Sequence, residues 1–142
     1  MKNGFRSENL EALTFPDESI DLHVSQDVLE HVFDPAAVFR EVARTLKKGG
    51  MHIFTTRLVN KTKPSQRKAE LGPDGDVILH GPAEYHGNPI SGEGSLVTMH
   101  WGYDITRQIF EASGLFTDVI YLDSLDWGIR AEYIEVLITR KP

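Results

Sequence analysis

Between Ile20 and Thr56 the chain punctuates itself as strand, helix and strand, and no other stretch narrows its fold as far. Ile20 to Ser25 is an extended run entered through Phe15-Pro16-Asp17-Glu18-Ser19, where proline fixes its own φ and the Asp and Ser side chains can bond the local backbone. Val28 to Val32 reads as a short helical turn. Asp34 is then a natural N-cap with Pro35 at the first helical position, and Val38, Phe39, Val42, Ala43 and Leu46 recur on one helical face. Lys47-Lys48 suit the negative end of that helix, and Gly49 suits the left-handed position beyond it. Met51 to Thr56 follows as a second strand, so the whole unit takes 37 residues, the span of one right-handed parallel crossover. The fold class this implies is α/β.

Beyond Arg57 the periodicity collapses into prolines, glycines and scattered His and Asn until Met99. Within that excursion Arg67–Leu71 and Val77–His80 flank Gly72-Pro73-Asp74-Gly75 as a hairpin would. Segment 57–100 is therefore expected as a long loop or hairpin insertion over the site, since loops of that length in compact domains are commonly functional. Regularity resumes at Asp104, a second N-cap, with Ile105, Ile109, Phe110 and Ala112 directed to the core until Gly114. Two strands close the chain, Phe116–Leu122 and Glu132–Thr139.

A chain of 142 residues buries about 68–70% of its unfolded surface, enough for one core, so 1–142 is expected to be a single domain. Fifteen Lys and Arg against 21 Asp and Glu leave a charge of −6, which disfavours nucleic acid and anionic lipid as partners. There is no cysteine, which removes disulfides, thiolate metal sites and cysteine nucleophiles. The first residues lack an apolar signal core and no run of 18 apolar residues occurs, so a soluble, cytoplasmic protein without a membrane partner is expected.

The block LTFPDESIDLHVSQDVLEHVFDPAAVFREVARTLKKGGMHIFTT, Leu13 to Thr56, resembles the second half of a class I S-adenosylmethionine-dependent methyltransferase. The resemblance implies a Rossmann-like doubly wound sheet of strand order 3-2-1-4-5-7-6 with its last strand antiparallel. This chain would supply strands four to seven with flanking helices, an incomplete class I methyltransferase fold. Phe5–Leu10 is the candidate for a remnant of strand three, while strands one and two and the G-x-G-x-G cofactor loop find no candidate. Ser91-Gly92-Glu93-Gly94-Ser95 imitates that loop only weakly, having no strand before it, and reads as a turn. The expectation is a truncated C-terminal portion of a methyltransferase, inactive alone. The alternative is a non-catalytic module that docks or dimerises through the uncovered edge of Ile20–Ser25, because an open apolar edge invites pairing.

The same resemblance implies S-adenosylmethionine as cofactor and leaves the methyl acceptor unspecified. Asn9 and Leu10 stand where such relatives hold the adenine, and Glu8 is one residue away from the same role; an ordinary N-terminal arm is the other reading. Ser25, Gln26 and Asp27 end the fourth strand, where the family contacts the methionine portion of the cofactor, although Asp27 also suits an N-cap for the following turn. His31 matches the family's "LEH" histidine, either a structural group beneath the site or a base. Tyr85, His86 and His100 are candidate bases for the acceptor. His80, Glu84, His86 and His100 cluster in sequence, but their spacing matches no helical pair or zinc signature, so no metal is expected. Trp101 and Tyr103 read as core seals beside Ile105, and Trp127 and Tyr133 as packing residues.

Overall fold

The structure, a computed structural model, describes residues 6–87, 92 and 94–142. Its frame is a four-stranded sheet of order β1-β2-β10-β9, built from Ile20–Gln26 (β1), Leu46–Thr55 (β2), Glu135–Arg140 (β10) and Phe116–Tyr121 (β9). β1 and β2 are parallel, and β10 is antiparallel to both β2 and β9. That is the expected order of strands four, five, seven and six. Among the described residues 6–10 no strand forms, only an isolated bridge between Asn9 and Ala12, and Phe5 lies outside the described residues.

The crossover helix α1 runs from Pro35 to Thr45, and the Asp34 carboxylate accepts from the Ala37 amide at 3.0 Å. Val38, Phe39 and Val42 are its buried stripe. The C-terminal end differs from the expectation. The helix stops at Thr45 with Leu46 already extended, and residues 47–50 bulge within β2, shifting the pairing from Ile20↔Leu46 to Leu22↔Met51. The reason is a competing cap from far along the chain. The Lys141 ammonium donates to the carbonyls of Ala43 and Leu46 at 2.9 and 2.8 Å, satisfying the helix end from outside. Gly49 keeps its left-handed backbone, φ 78°, but uses it in the bulge, while Lys47 pairs with Asp21. Arg44 clamps the entry turn to α1 by donating to Phe15 O, Leu13 O, Asp17 and Glu41.

Between β2 and β10 the chain forms short pairs: β3 (Gln66–Arg67) with β8 (Met99–His100), β4 (Ala69–Leu71) with β5 (Val77–Leu79), and β6 (Tyr85–His86) with β7 (Ser95–Leu96). The expected hairpin around Gly72–Gly75 is present as β4–β5. Helix α2, Ile105–Ser113, ends at Gly114, φ 73°. Asp104 does not cap it by side chain, because its carboxylate is engaged by the Ser65 amide and hydroxyl and by Gln108. Ile105 and Ile109 are buried as expected, but Phe110 is exposed and stacks on exposed Phe116.

Both helices cover the same face of the sheet. His52 and Phe54 of β2 point to that face with Leu137 of β10, and Phe54, Leu137, Val38, Val42, Ile105 and Trp101 belong to one buried cluster. Leu22 and Val24 alternate onto the other face and remain exposed, 50% and 71%. Trp101 and Tyr103 pack with the core as expected. Trp127 does not; it is 83% exposed, since residues 122–134 run outside the sheet where no described helix covers them.

Candidate functional site

A cleft of about 590 Å³ opens where β1 and β2 end, lined by Gln26, Asp27, Glu30, His31, Arg57, His86, Gly87 and Ser95. Its volume is in the range of small-molecule sites, roughly 300–1,000 Å³, and its place is the carboxyl edge of parallel strands, where α/β sheets bind ligands.

The floor is the turn after β1. Asp27 adopts a left-handed backbone, φ 50°, which an Asp tolerates, and its amide still pairs with Thr55 O at 3.1 Å. The expected helical turn at Val28–Val32 is a plain turn without helix. It is held because Leu29 is fully buried and because Thr98 donates its amide to Glu30 O at 2.7 Å and its hydroxyl to Val32 O at 2.6 Å. With Leu29 pinned inward, the two residues that follow it, Glu30 and His31, line the cleft. Glu30 is 1% exposed, and its Oε2 accepts from the Thr56 hydroxyl at 2.7 Å. The other oxygen, Oε1, is buried without a hydrogen-bond partner among the described residues. His31 donates Nδ1–H to Leu96 O at 2.8 Å, which leaves Nε2 as the lone-pair nitrogen of the neutral ring.

The opposite wall is the β6–β7 pair. His86 meets His31 edge to face, ring centroids 5.1 Å apart, and its Nε2 accepts from an Arg57 Nη at 2.8 Å. Arg57 lies over the ring of Tyr133 at 4.8 Å. Tyr133, read from sequence as a packing residue, thus braces a cleft side chain. Burial pushes the His86 imidazole below its ordinary value, the Arg57 charge and His31 push it further, and Glu30 and Asp27 oppose them.

Of the sequence-derived candidates, the cleft gathers Gln26, Asp27, His31 and His86. Ser25 turns away to the helix-covered face, its hydroxyl 2.9 Å from His52 Nε2. Glu8 is engaged with Thr14 and Arg6, the Asn9 side chain accepts from the Glu11 amide at 3.0 Å, and Leu10 packs against the core. Tyr85 is exposed outside the cleft. His100 pairs with Glu84 at 2.8 Å, and Glu84 also meets Lys68, so neither lines the cleft. His80 pairs instead with Glu70. Asn88, Pro89, Ser91 and Glu93 lie outside the described residues. Sequence reasoning passed over Glu30 and Arg57. The signals were a carboxylate next to His31 between apolar residues, and a cation directly after the second strand.

Residues 2–54 match the family defined as a methyltransferase domain. A ubiquinone biosynthesis O-methyltransferase of Ruegeria pomeroyi is 34% identical over 70 residues, 49% of this chain and 27% of that protein. A probable S-adenosylmethionine-dependent methyltransferase of Mycobacterium tuberculosis is 42% identical over 48 residues, 34% of this chain and 18% of that protein. The fold is similar to the crystal structure of an S-adenosylmethionine-dependent methyltransferase from Mesorhizobium loti, with TM-score 0.58 and 20% identity over 94% of this chain and 67% of that one. The sheet order and the residues at its carboxyl edge define an α/β domain with a cleft where its parallel strands end. Over residues 2–54 the chain is similar to that methyltransferase-domain family, and its fold is that of class I S-adenosylmethionine-dependent methyltransferases. Its alignments span about a quarter or less of the curated relatives' length. None of the described helices is long and apolar enough to cross a membrane.

Proposed function

We propose that this cleft is the acceptor side of a methyl-transfer site, acting on an O–H or N–H nucleophile. The observation that carries the reading is the gathering of Asp27, His31 and His86 at the carboxyl ends of β1 and β2. S-adenosylmethionine supplies a methyl group made electrophilic by a sulfonium. Asp27, exposed at the end of β1, would supply negative charge to the sulfonium of a cofactor bound at that edge. His31 is oriented by the Leu96 carbonyl, so its Nε2 would be the atom that takes the proton of an O–H or N–H acceptor. Arg57 keeps the His86 ring in place above it. Much of the rate is positioning, for which roughly 7–11 kcal/mol is available when reactants are held in line. The cytoplasm is the proposed compartment, to be checked by fractionation.

The test is calorimetric titration of the 142-residue chain with S-adenosylhomocysteine. Micromolar binding that Asp27→Asn weakens about tenfold supports the reading. So does turnover, on a panel of phenolic and amine acceptors, that His31→Gln lowers by about a hundredfold or more. Absence of binding up to about one millimolar overturns it for this chain and favours the second reading, a module that pairs with a second copy through β1. The exposure of Leu22 and Val24 on that edge strand favours this alternative.

A further inference from the structure

We propose that Glu30, His31 and His86 form a binding site for a divalent transition-metal ion. One carboxylate oxygen and one ring nitrogen from each histidine lie within 4.8 Å of one another. A cation bonded at about 2.0–2.2 Å to each needs ligand separations of roughly 3–4 Å, so a small side-chain rotation completes the set. Two of the three ligands are already oriented from behind, as metal ligands are: Thr56 holds Glu30 Oε2, and the Leu96 carbonyl holds His31 Nδ1–H. The second, independent observation is Glu30 Oε1. A carboxylate oxygen buried on a 1% exposed residue, without a partner among the described residues, is costly to keep. A cation reached from the cleft relieves that cost.

The donor set decides the kind of ion. Two imidazoles and one carboxylate suit borderline ions such as Zn²⁺, Mn²⁺ or Fe²⁺, with coordination positions left open to the cleft; Mg²⁺ and Ca²⁺ prefer oxygen alone. Arg57 is the rival cation. Its guanidinium donates to His86 Nε2, so its charge opposes an ion bound at that ring. The ion also takes the His31 Nε2 lone pair, so ion binding and proton removal compete. The inference uses the same cleft as the methyl-transfer reading, but its test reads the ion and not turnover, so either can fail alone.

The experiment is a Mn²⁺ titration followed by electron paramagnetic resonance. The expected result is loss of the free-ion signal at one ion per chain, reversed by Zn²⁺ and not by Mg²⁺ in about hundredfold excess. Glu30→Gln and His86→Gln each weaken the binding at least about tenfold, while Arg57→Gln tightens it by removing the competing charge. Circular dichroism checks the fold, and His86, on the partly exposed β6, keeps the test valid should the Glu30 variant unfold. The proposal is overturned by an unchanged signal up to about one millimolar chain, by binding that ignores the His86 substitution, or by equal displacement with Mg²⁺.

Discussion

The rings of His31 and His86 stand at 86° to each other with centroids 5.1 Å apart, although one sits in the turn after β1 and the other on the short strand β6. Two backbone devices bring them together. The His31 ring is tied to the β7 carbonyl of Leu96, and β7 in turn pairs His86 with Ser95. The pair closes tightly only because of Gly94, where φ is 81° and an added Cβ would meet His86 O at 2.5 Å.

Gly94→Ala is therefore expected to displace His86 while leaving the four-stranded sheet folded. Its cost is on the order of 1–3 kcal/mol. The check is a denaturant melt combined with the histidine ring resonances in NMR. Unchanged His86 resonances would defeat the account.

Arg57→Gln should raise the titration midpoint of His86, because the Arg57 charge is one of the causes holding it down. The midpoint should stay below the ordinary 6.5, since burial is the larger cause. NMR titration of the ring protons measures both statements.

His52 gives the fold a pH limit. Burial, with His23 adding to it, pushes the His52 imidazole down to about 3, while in the unfolded chain it titrates near 6.5. The unfolded state then binds the extra proton throughout that window, so stability is present above pH 6.5 and is lost as the pH falls toward 3. The slope for one such group is at most about 1.4 kcal/mol per pH unit. His52→Asn should flatten the acid limb of urea-melt stability against pH, and an unaltered limb would reject the assignment.

Leu29→Ala empties a fully buried position beneath the cleft floor. The expected loss is about 2–5 kcal/mol, read from denaturant midpoints. A surface-like loss below about 0.5 kcal/mol would mean that the turn is not pegged by this side chain.

If β1 pairs with a second copy, Val24→Lys should abolish the dimer, because it sets a charge on the exposed face of the edge strand. Sedimentation against concentration decides it. A monomer at all concentrations in the parent chain ends that reading.

The sequence by itself determined the crossover unit, and its resemblance to the methyltransferase family implied the strand order. Asp34-Pro35 and the Val38, Phe39, Val42 stripe are local signals, as is the turn that admits β1, and local signals survive without knowledge of the rest of the fold. It also placed Asp27 and His31, because both belong to one continuous motif at a strand end. What only the tertiary structure decided are the pairings across long separations. Lys141 ends α1 earlier than Gly49 would have, Ser65 takes the Asp104 carboxylate from α2, and Tyr133 carries Arg57 to the cleft. His86 was separated from Tyr85 and His100 in the same way: it lines the cleft, while Tyr85 is exposed and His100 pairs with Glu84. Glu30 shows the physical reason most plainly. Its apolar neighbours hint at a buried carboxylate without requiring one; it is buried because Leu29 must enter the core and the Thr98 segment closes over the turn.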